Sequence, residues 1–170
     1  MAKVTKKMIT SFSKFKSEWE KDAGKPENTI MYYLIAALNI EKDPELGEAM
    51  MTVVVSKRDT MEAGGSPSGL KLRPSAKYFI GQFKRNPNIA RSYVGGTYKN
   101  SYKFDKDNLI MTVVKKQEHG KGLKIFIDSG GKDLDTPVQL AANSRGQWKM
   151  IEFSSIATGV RKTVEEETDF

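Results

Sequence analysis

The sequence predicts an α+β fold in which N-terminal helices pack on one face of an antiparallel sheet. Up to Ser92 the apolar residues recur at helical spacing, and beyond it they alternate with a period of two. The clearest stretch is residues 136–162, which predicts two antiparallel strands joined by a turn that contains Gly146. These observations place the helices first and the sheet second along the chain.

Length and charge divide the chain into three expected segments. The 170 residues fit one domain, and the absence of cysteine excludes disulfides and thiolate chemistry. We expect residues 1–9 to be a basic flexible arm, residues 10–162 a single α+β domain and residues 163–170 an acidic tail. The tail contains four acidic residues and no basic ones.

Each predicted helix begins at a capping residue or a proline. Thr10 or Ser11 caps the first helix, and Asp43 followed by Pro44 is a strong start for the third. The first predicted helix begins at residue 10. Three more helices are predicted at residues 27–40, 44–54 and 74–85, and one further helical turn at residues 87–90. Residues 56–72 are rich in glycine and proline and are predicted to be a loop.

Five strands are predicted after Ser92 from alternation and from the turn residues between them. They cover residues 98–104, 109–116, 123–128, 138–142 and 147–155. Trp148 falls within the last strand, and we expect it to be buried against the first or second helix.

The composition argues against several classes of protein. Residues 1–162 carry 28 basic and 17 acidic side chains, a balance of +11 that favours loose association with polyanions. The basic start is not followed by an apolar segment of a signal peptide, and no run approaches the ~20 apolar residues of a membrane helix. We therefore expect a cytoplasmic protein without a membrane partner. His119 is the one histidine, so we expect no metal site and no cofactor.

One segment at the junction between helices and strands is dense in aromatic and hydrogen-bonding side chains. We expect four of its residues to meet at one end of the sheet together with an aspartate that closes another strand. The candidate ligand-binding residues are Arg91, Tyr93, Asn100, Tyr102 and Asp128. In this hypothesis Arg91 pairs with Asp128, and a structural latch is favoured over a ligand site.

A set of short motifs, in a consistent order, resembles an uncharacterised bacterial domain family of unknown function. The motifs are residues 91–102, Asp128-Ser129-Gly130-Gly131, Pro137-Val138-Gln139-Leu140, Gln147-Trp148-Lys149 and Gly159-Val160-Arg161, and the resemblance covers roughly residues 12–162. Asp135-Thr136-Pro137 stands where the family has a loop that contains arginine.

The last hairpin is also similar to the final strands of the cone-shaped fold of nuclear transport factor, ketosteroid isomerase and scytalone dehydratase. That resemblance implies a curved sheet and a pocket between the sheet and the helices. The fold carries both enzymes and binding modules, so it does not by itself imply an activity.

Three functions follow as hypotheses. The first is a binding or interaction module without catalysis, for an unknown small molecule or protein partner or for a second copy that pairs through the sheet. The second is a small-molecule enzyme, isomerase-like or dehydratase-like, in which Asp128 acts with Tyr93 or Tyr102 as proton donor. The third is a basic accessory protein that binds nucleic acid weakly and in a salt-sensitive way.

Overall fold

The structure is a computed structural model, and it describes residues 1–169. Helices α1–α6 span Phe12–Asp22, Pro26–Ile40, Pro44–Val54, Pro74–Arg85, Asn88–Arg91 and Val164–Thr168. Strands β1–β7 span Ala2–Lys6, Thr60–Glu62, Leu70–Leu72, Leu109–His119, Gly122–Ile127, Thr136–Ala142 and Trp148–Glu152. Two 3-10 turns lie at Lys57–Asp59 and Ser154–Ala157.

The first helices begin where the sequence predicted them. The backbone N–H of Lys14 donates to Ser11 Oγ at 3.3 Å, which caps α1. The backbone N–H of Leu46 donates to Asp43 Oδ1 at 3.2 Å, and Pro44 takes the first position of α3. These caps satisfy backbone groups that the helix cannot pair internally, and they are encoded locally.

Helix α2 is the centre of the core. Residues 30–36 are each at most 1% exposed, so the helix is buried on nearly all sides. It contacts α1, α3, α4 and β7, which explains why its apolar residues are not confined to one stripe.

The main sheet confirms the predicted α+β class. Its strands lie in the order β1-β4-β5-β6-β7, and every neighbouring pair is antiparallel. Alternate residues of β4–β7 face the helices and are buried. They include Met111, Ile125, Val138, Leu140 and Met150.

The N-terminal segment differs from the flexible arm that the sequence predicted. Residues 2–6 form β1, which pairs with β4 from Ala2 opposite Val113 to Lys6 opposite Leu109. Lys6 forms ion pairs with Glu18 and Asp22 of α1 at 3.0 and 3.4 Å. An edge strand with few apolar residues has little local signal, because its stability comes from pairing with a distant strand.

Two other segments also require correction. The predicted loop at residues 56–72 contains a 3-10 turn and the β2–β3 hairpin, in which Thr60 lies opposite Leu72. The predicted strand at residues 98–104 is a series of turns, because Ser101 and Tyr102 adopt positive φ angles of 60° and 55°.

The C-terminal residues fold back on the domain. Thr163 is buried and caps α6 in a reciprocal hydrogen-bonded arrangement with Glu166. Part of the predicted acidic tail is therefore helical, and Phe170 lies outside the described residues.

Trp148 is half-buried and not a core residue. It lies on edge strand β7, where its backbone N–H donates to the Ala23 carbonyl at 2.8 Å. The deeply buried tryptophan is Trp19, which is 3% exposed.

Among residues 1–169, none of the helices has both the length and the apolar character needed to cross a membrane.

Candidate functional site

The predicted pair between Arg91 and Asp128 does not form. Arg91 instead forms an ion pair with Glu41, with 2.7 Å between Nη2 and Oε2. Its guanidinium carbon also lies 5.8 Å from the ring centroid of Phe104. Asp128 has an exposed side chain, and its backbone N–H donates to the Thr112 carbonyl at 3.0 Å. Arg91 turns toward the end of α2 because Glu41 lies there, and this contact spans 50 residues of sequence.

Tyr93 ties the end of the sheet to the turn that follows β7. Its hydroxyl is buried, lies 3.0 Å from Thr136 Oγ1 and donates to the Ile156 carbonyl at 3.1 Å. It also accepts a hydrogen bond of 2.6 Å from Lys132 Nζ. Burial raises the pKa of Tyr93, so its hydroxyl keeps its proton and serves as a structural link.

Asn100 and Tyr102 fix the turns beside Tyr93. Asn100 Oδ1 accepts hydrogen bonds from the backbone N–H groups of Thr97 and Lys103 at 2.8 and 3.1 Å. The Tyr102 hydroxyl donates to the Arg161 carbonyl. The five candidate residues therefore do not converge on one open site in this structure, and a role in ligand binding stays a prediction.

Sequence reasoning missed Lys132, which lies in the same region. Burial lowers the pKa of Lys132 to about 8. Its Nζ donates to the Tyr93 hydroxyl, to the Ser155 carbonyl at 2.9 Å and to Thr158 Oγ1 at 2.7 Å. Each of its three N–H groups therefore has a protein acceptor, and Lys132 stabilises the fold around the loop after β5.

A large concavity lies elsewhere, where the β2–β3 hairpin, the β6–β7 hairpin and helices α1 and α3 meet. It consists of two adjoining cavities of about 490 and 560 Å³. Both are lined by Thr52, Leu70, Arg145 and Lys149. We call these two cavities together the basic groove.

Lys149 lies at the centre of the basic groove. Its Nζ donates to the Val53 carbonyl at 2.7 Å and lies 4.8 Å from the centroid of the Trp19 ring. The pKa of Lys149 is lowered to about 8, first by burial and then by the charge of Arg145. Lys149 has one hydrogen-bond acceptor within residues 1–169, and two of its N–H groups have none there.

The charges that line the basic groove are unbalanced. Lys16 lines the first cavity and Lys57 the second, which makes four basic residues with Arg145 and Lys149. The one acidic side chain among the lining residues is Glu20, which lies 3.9 Å from Lys16. Arg145 and Lys149 form no ion pair with any carboxylate of the described residues. Two neighbouring cations without an acidic partner are the electrostatic arrangement expected for an anion site.

Hydroxyl groups connect the β2–β3 hairpin to α3 along the basic groove. Thr52 Oγ1 lies 2.8 Å from Ser68 Oγ, which in turn lies 3.2 Å from Ser66 Oγ. These contacts attach the glycine-rich tip of the β2–β3 hairpin to α3. The groove is therefore formed by connected elements on both sides.

The sequence contained a signal for the groove that was not used. Residues 143–146 predict the turn of the last hairpin, and Lys149 belongs to the motif Gln147-Trp148-Lys149, so neither predicts a binding site by itself. The hairpin brings the arginine of the turn and the lysine of the strand to one surface. What could not be predicted was that Trp19 and Val53, from distant helices, would close over Lys149.

The protein is therefore an α+β domain with a cationic groove beside the edge of its sheet. These features describe a fold and a candidate site, and they do not by themselves specify an activity. The chain belongs to the family described as Domain of unknown function (DUF6935), whose model matches residues 7–164. The predicted resemblance to an uncharacterised domain family is thereby confirmed. Comparison with curated proteins and with solved structures found no match. The similarity to the cone-shaped fold and the bacterial origin stay predictions.

Proposed function

We propose that this protein is a binding module, without catalysis of its own, that holds an anionic ligand in the basic groove. The observation that carries the proposal is the approach of Arg145 and Lys149 to one cavity without a carboxylate partner. A bound anion would offset the repulsion between the two cations and the cost of burying Lys149. The cavity volumes lie within the range of about 300–1,000 Å³ that is typical of small-molecule sites.

The enzyme alternative has less support from the geometry. In that hypothesis Asp128 acts together with Tyr93 or Tyr102 as the proton donor, so the side chains must lie close to one another. Both tyrosine hydroxyls are bonded to other protein groups, and the side chain of Asp128 is exposed. Burial also raises the pKa of both tyrosines, which makes them poorer proton donors at neutral pH.

Calorimetric titration with inorganic phosphate and pyrophosphate at constant ionic strength tests the proposed function. Arg145→Gln removes one charge from the groove at an exposed position without side-chain hydrogen bonds in the described structure. We expect it to weaken binding about five- to thirtyfold, because a charge-assisted hydrogen bond is worth roughly 1–2 kcal/mol here.

Lys121→Gln is the matched control, since it removes the same charge from the exposed turn between β4 and β5. Equal losses in the two variants would mean that phosphate responds only to net charge and would contradict the groove site. The same titration with a single-stranded oligonucleotide addresses the nucleic-acid alternative, for which we expect binding to disappear by about 200 mM salt. The homodimer alternative stays a prediction.

A further inference from the structure

The two halves of the basic groove differ in chemistry. The first cavity adds the polar residues Lys16, Glu20, Ser68 and Gln147 and the apolar residues Trp19, Val53 and Pro67, and more of its surface is polar than apolar. The second cavity adds polar residues such as Ser56, Lys57 and Asn143, but more of its surface is apolar than polar. We call its solvent-accessible apolar residues, Ala141, Ala142 and Ile151, the apolar wall. Arg145 and Lys149 line both halves and so lie where the polar and apolar parts meet.

The apolar wall results from the way β7 ends. Leu140 lies opposite Met150 and Gln139 opposite Glu152, which leaves Ile151 as the extra residue of a β-bulge. On the other side of β7, Val55 forms a parallel bridge with Met150, and the Ser56 N–H donates to the Met150 carbonyl at 2.8 Å. Backbone hydrogen bonds therefore fix β7, and with it Ile151, beside the end of α3.

We infer that the ligand of the basic groove is an amphipathic organic anion. Its anionic head lies between Arg145 and Lys149, and its apolar body lies against Ala141, Ala142 and Ile151. The inference rests on the proposed function, because it assigns the class of ligand to the same site. A fully hydrophilic anion would leave the apolar half of the groove in contact with water, whereas an attached hydrocarbon would cover it.

A series of soluble n-alkyl phosphates from methyl to hexyl, each below its micelle concentration, tests the inference by calorimetry. Burial of a methylene group is worth about 0.8 kcal/mol at most, or nearly fourfold in affinity. For a wall on one side we expect affinity to rise about twofold per added methylene until the second cavity is filled. Vesicles of phosphatidylglycerol serve as a separate arm for a membrane source of the same chemistry.

Ile151→Thr is the variant that probes the apolar wall. It should flatten the dependence of affinity on chain length, so that hexyl phosphate loses more affinity than methyl phosphate does. Ile110→Thr is the matched control, because it makes the same change at another half-buried strand position, on β4, that does not line the groove. The control should keep the full dependence on chain length.

The outcomes separate the inference from the proposed function. Binding of all alkyl phosphates with equal affinity would overturn the amphipathic ligand and keep the anion site. No binding of methyl phosphate or longer members would overturn both. Binding to the vesicles without binding to soluble alkyl phosphates would also overturn the inference. The alkyl phosphate series on the wild-type protein decides the inference by itself, even if Ile151→Thr does not fold.

Discussion

Replacing Tyr33 with phenylalanine should not destabilise this protein. Tyr33 is 0% exposed, and its hydroxyl has no hydrogen-bond partner within the described residues. The ring packs on Phe153 and Phe83, with centroid distances of 5.2 and 6.3 Å, and the substitution preserves these contacts. Asp59 Oδ2 is also buried without a partner, and the charge of Asp59 adds to burial in raising the pKa of Tyr33.

The magnitude follows from what the hydroxyl loses on folding. An unpaired buried polar group costs roughly 1–3 kcal/mol, and its removal leaves only a small void. We expect the free energy of unfolding of Tyr33→Phe to be unchanged or higher by up to about 1 kcal/mol. Tyr93→Phe is the matched control, because the Tyr93 hydroxyl has partners in Lys132, Thr136 and Ile156. Tyr93→Phe should therefore lower the free energy of unfolding by about 2–3 kcal/mol.

Urea denaturation at pH 7, followed by tryptophan fluorescence, measures both variants in the same way. The two substitutions are chemically identical at two buried positions, so the difference between them reports the hydrogen-bond partners. A loss of stability in Tyr33→Phe as large as that in Tyr93→Phe would refute the reasoning. It would mean that the Tyr33 hydroxyl is bonded, through an ordered water to Asp59 for example.

Two further predictions concern Lys149 and Gly131. Affinity for sulfate, which does not titrate near neutral pH, should fall as pH rises through about 8, because Lys149 loses its proton there. In a Lys149→Arg variant, the affinity for sulfate measured by calorimetry should not change with pH in this range. If it falls as steeply as in the wild-type protein, Lys149 is not the titrating group. Gly131→Ala should lower the free energy of unfolding by about 1–3 kcal/mol, since a Cβ would overlap the Tyr102 hydroxyl and lie 2.8 Å from Val160 Cβ. Gly159→Ala, where a Cβ meets no atom within 4 Å, should be nearly neutral in the same denaturation assay.

The parts of the fold that were predicted correctly are those that local chemistry encodes. Ser11 and the Asp43-Pro44 pair mark helix starts within one turn of sequence, and alternation identifies β4–β7. Strand β1 was missed because it depends on pairing with β4, which is more than 100 residues away. The turns around Tyr102 were mistaken for a strand because their positive φ angles accompany a distant contact with Arg161.

The candidate site was harder to predict for the same reason. Arg91 was expected to pair with Asp128 but forms its ion pair with Glu41. The spacing of residues in the sequence does not reveal which of several acidic side chains lies nearest to Arg91 in the folded protein. The hairpin that carries Arg145 and Lys149 was predicted, yet the groove also needs the β2–β3 hairpin, which packs on α3 and lines its other part. A site between two hairpins requires both, and the second was interpreted as a loop.

Two lysines of this protein have a pKa lowered to about 8, and the comparison shows why a perturbed pKa alone does not identify a functional site. All three N–H groups of Lys132 donate to oxygen atoms of the protein, which stabilise its charge. A ligand could bind Lys132 only by displacing one of these acceptors. Lys149 is bonded to a single carbonyl and has a second cation beside it. Hydrogen-bond satisfaction therefore distinguishes Lys132, which is bonded only to the protein, from Lys149, for which we propose an anionic ligand. The same criterion separates the linked hydroxyl of Tyr93 from the unpaired one of Tyr33, so denaturation of the tyrosine pair tests the criterion independently of any ligand.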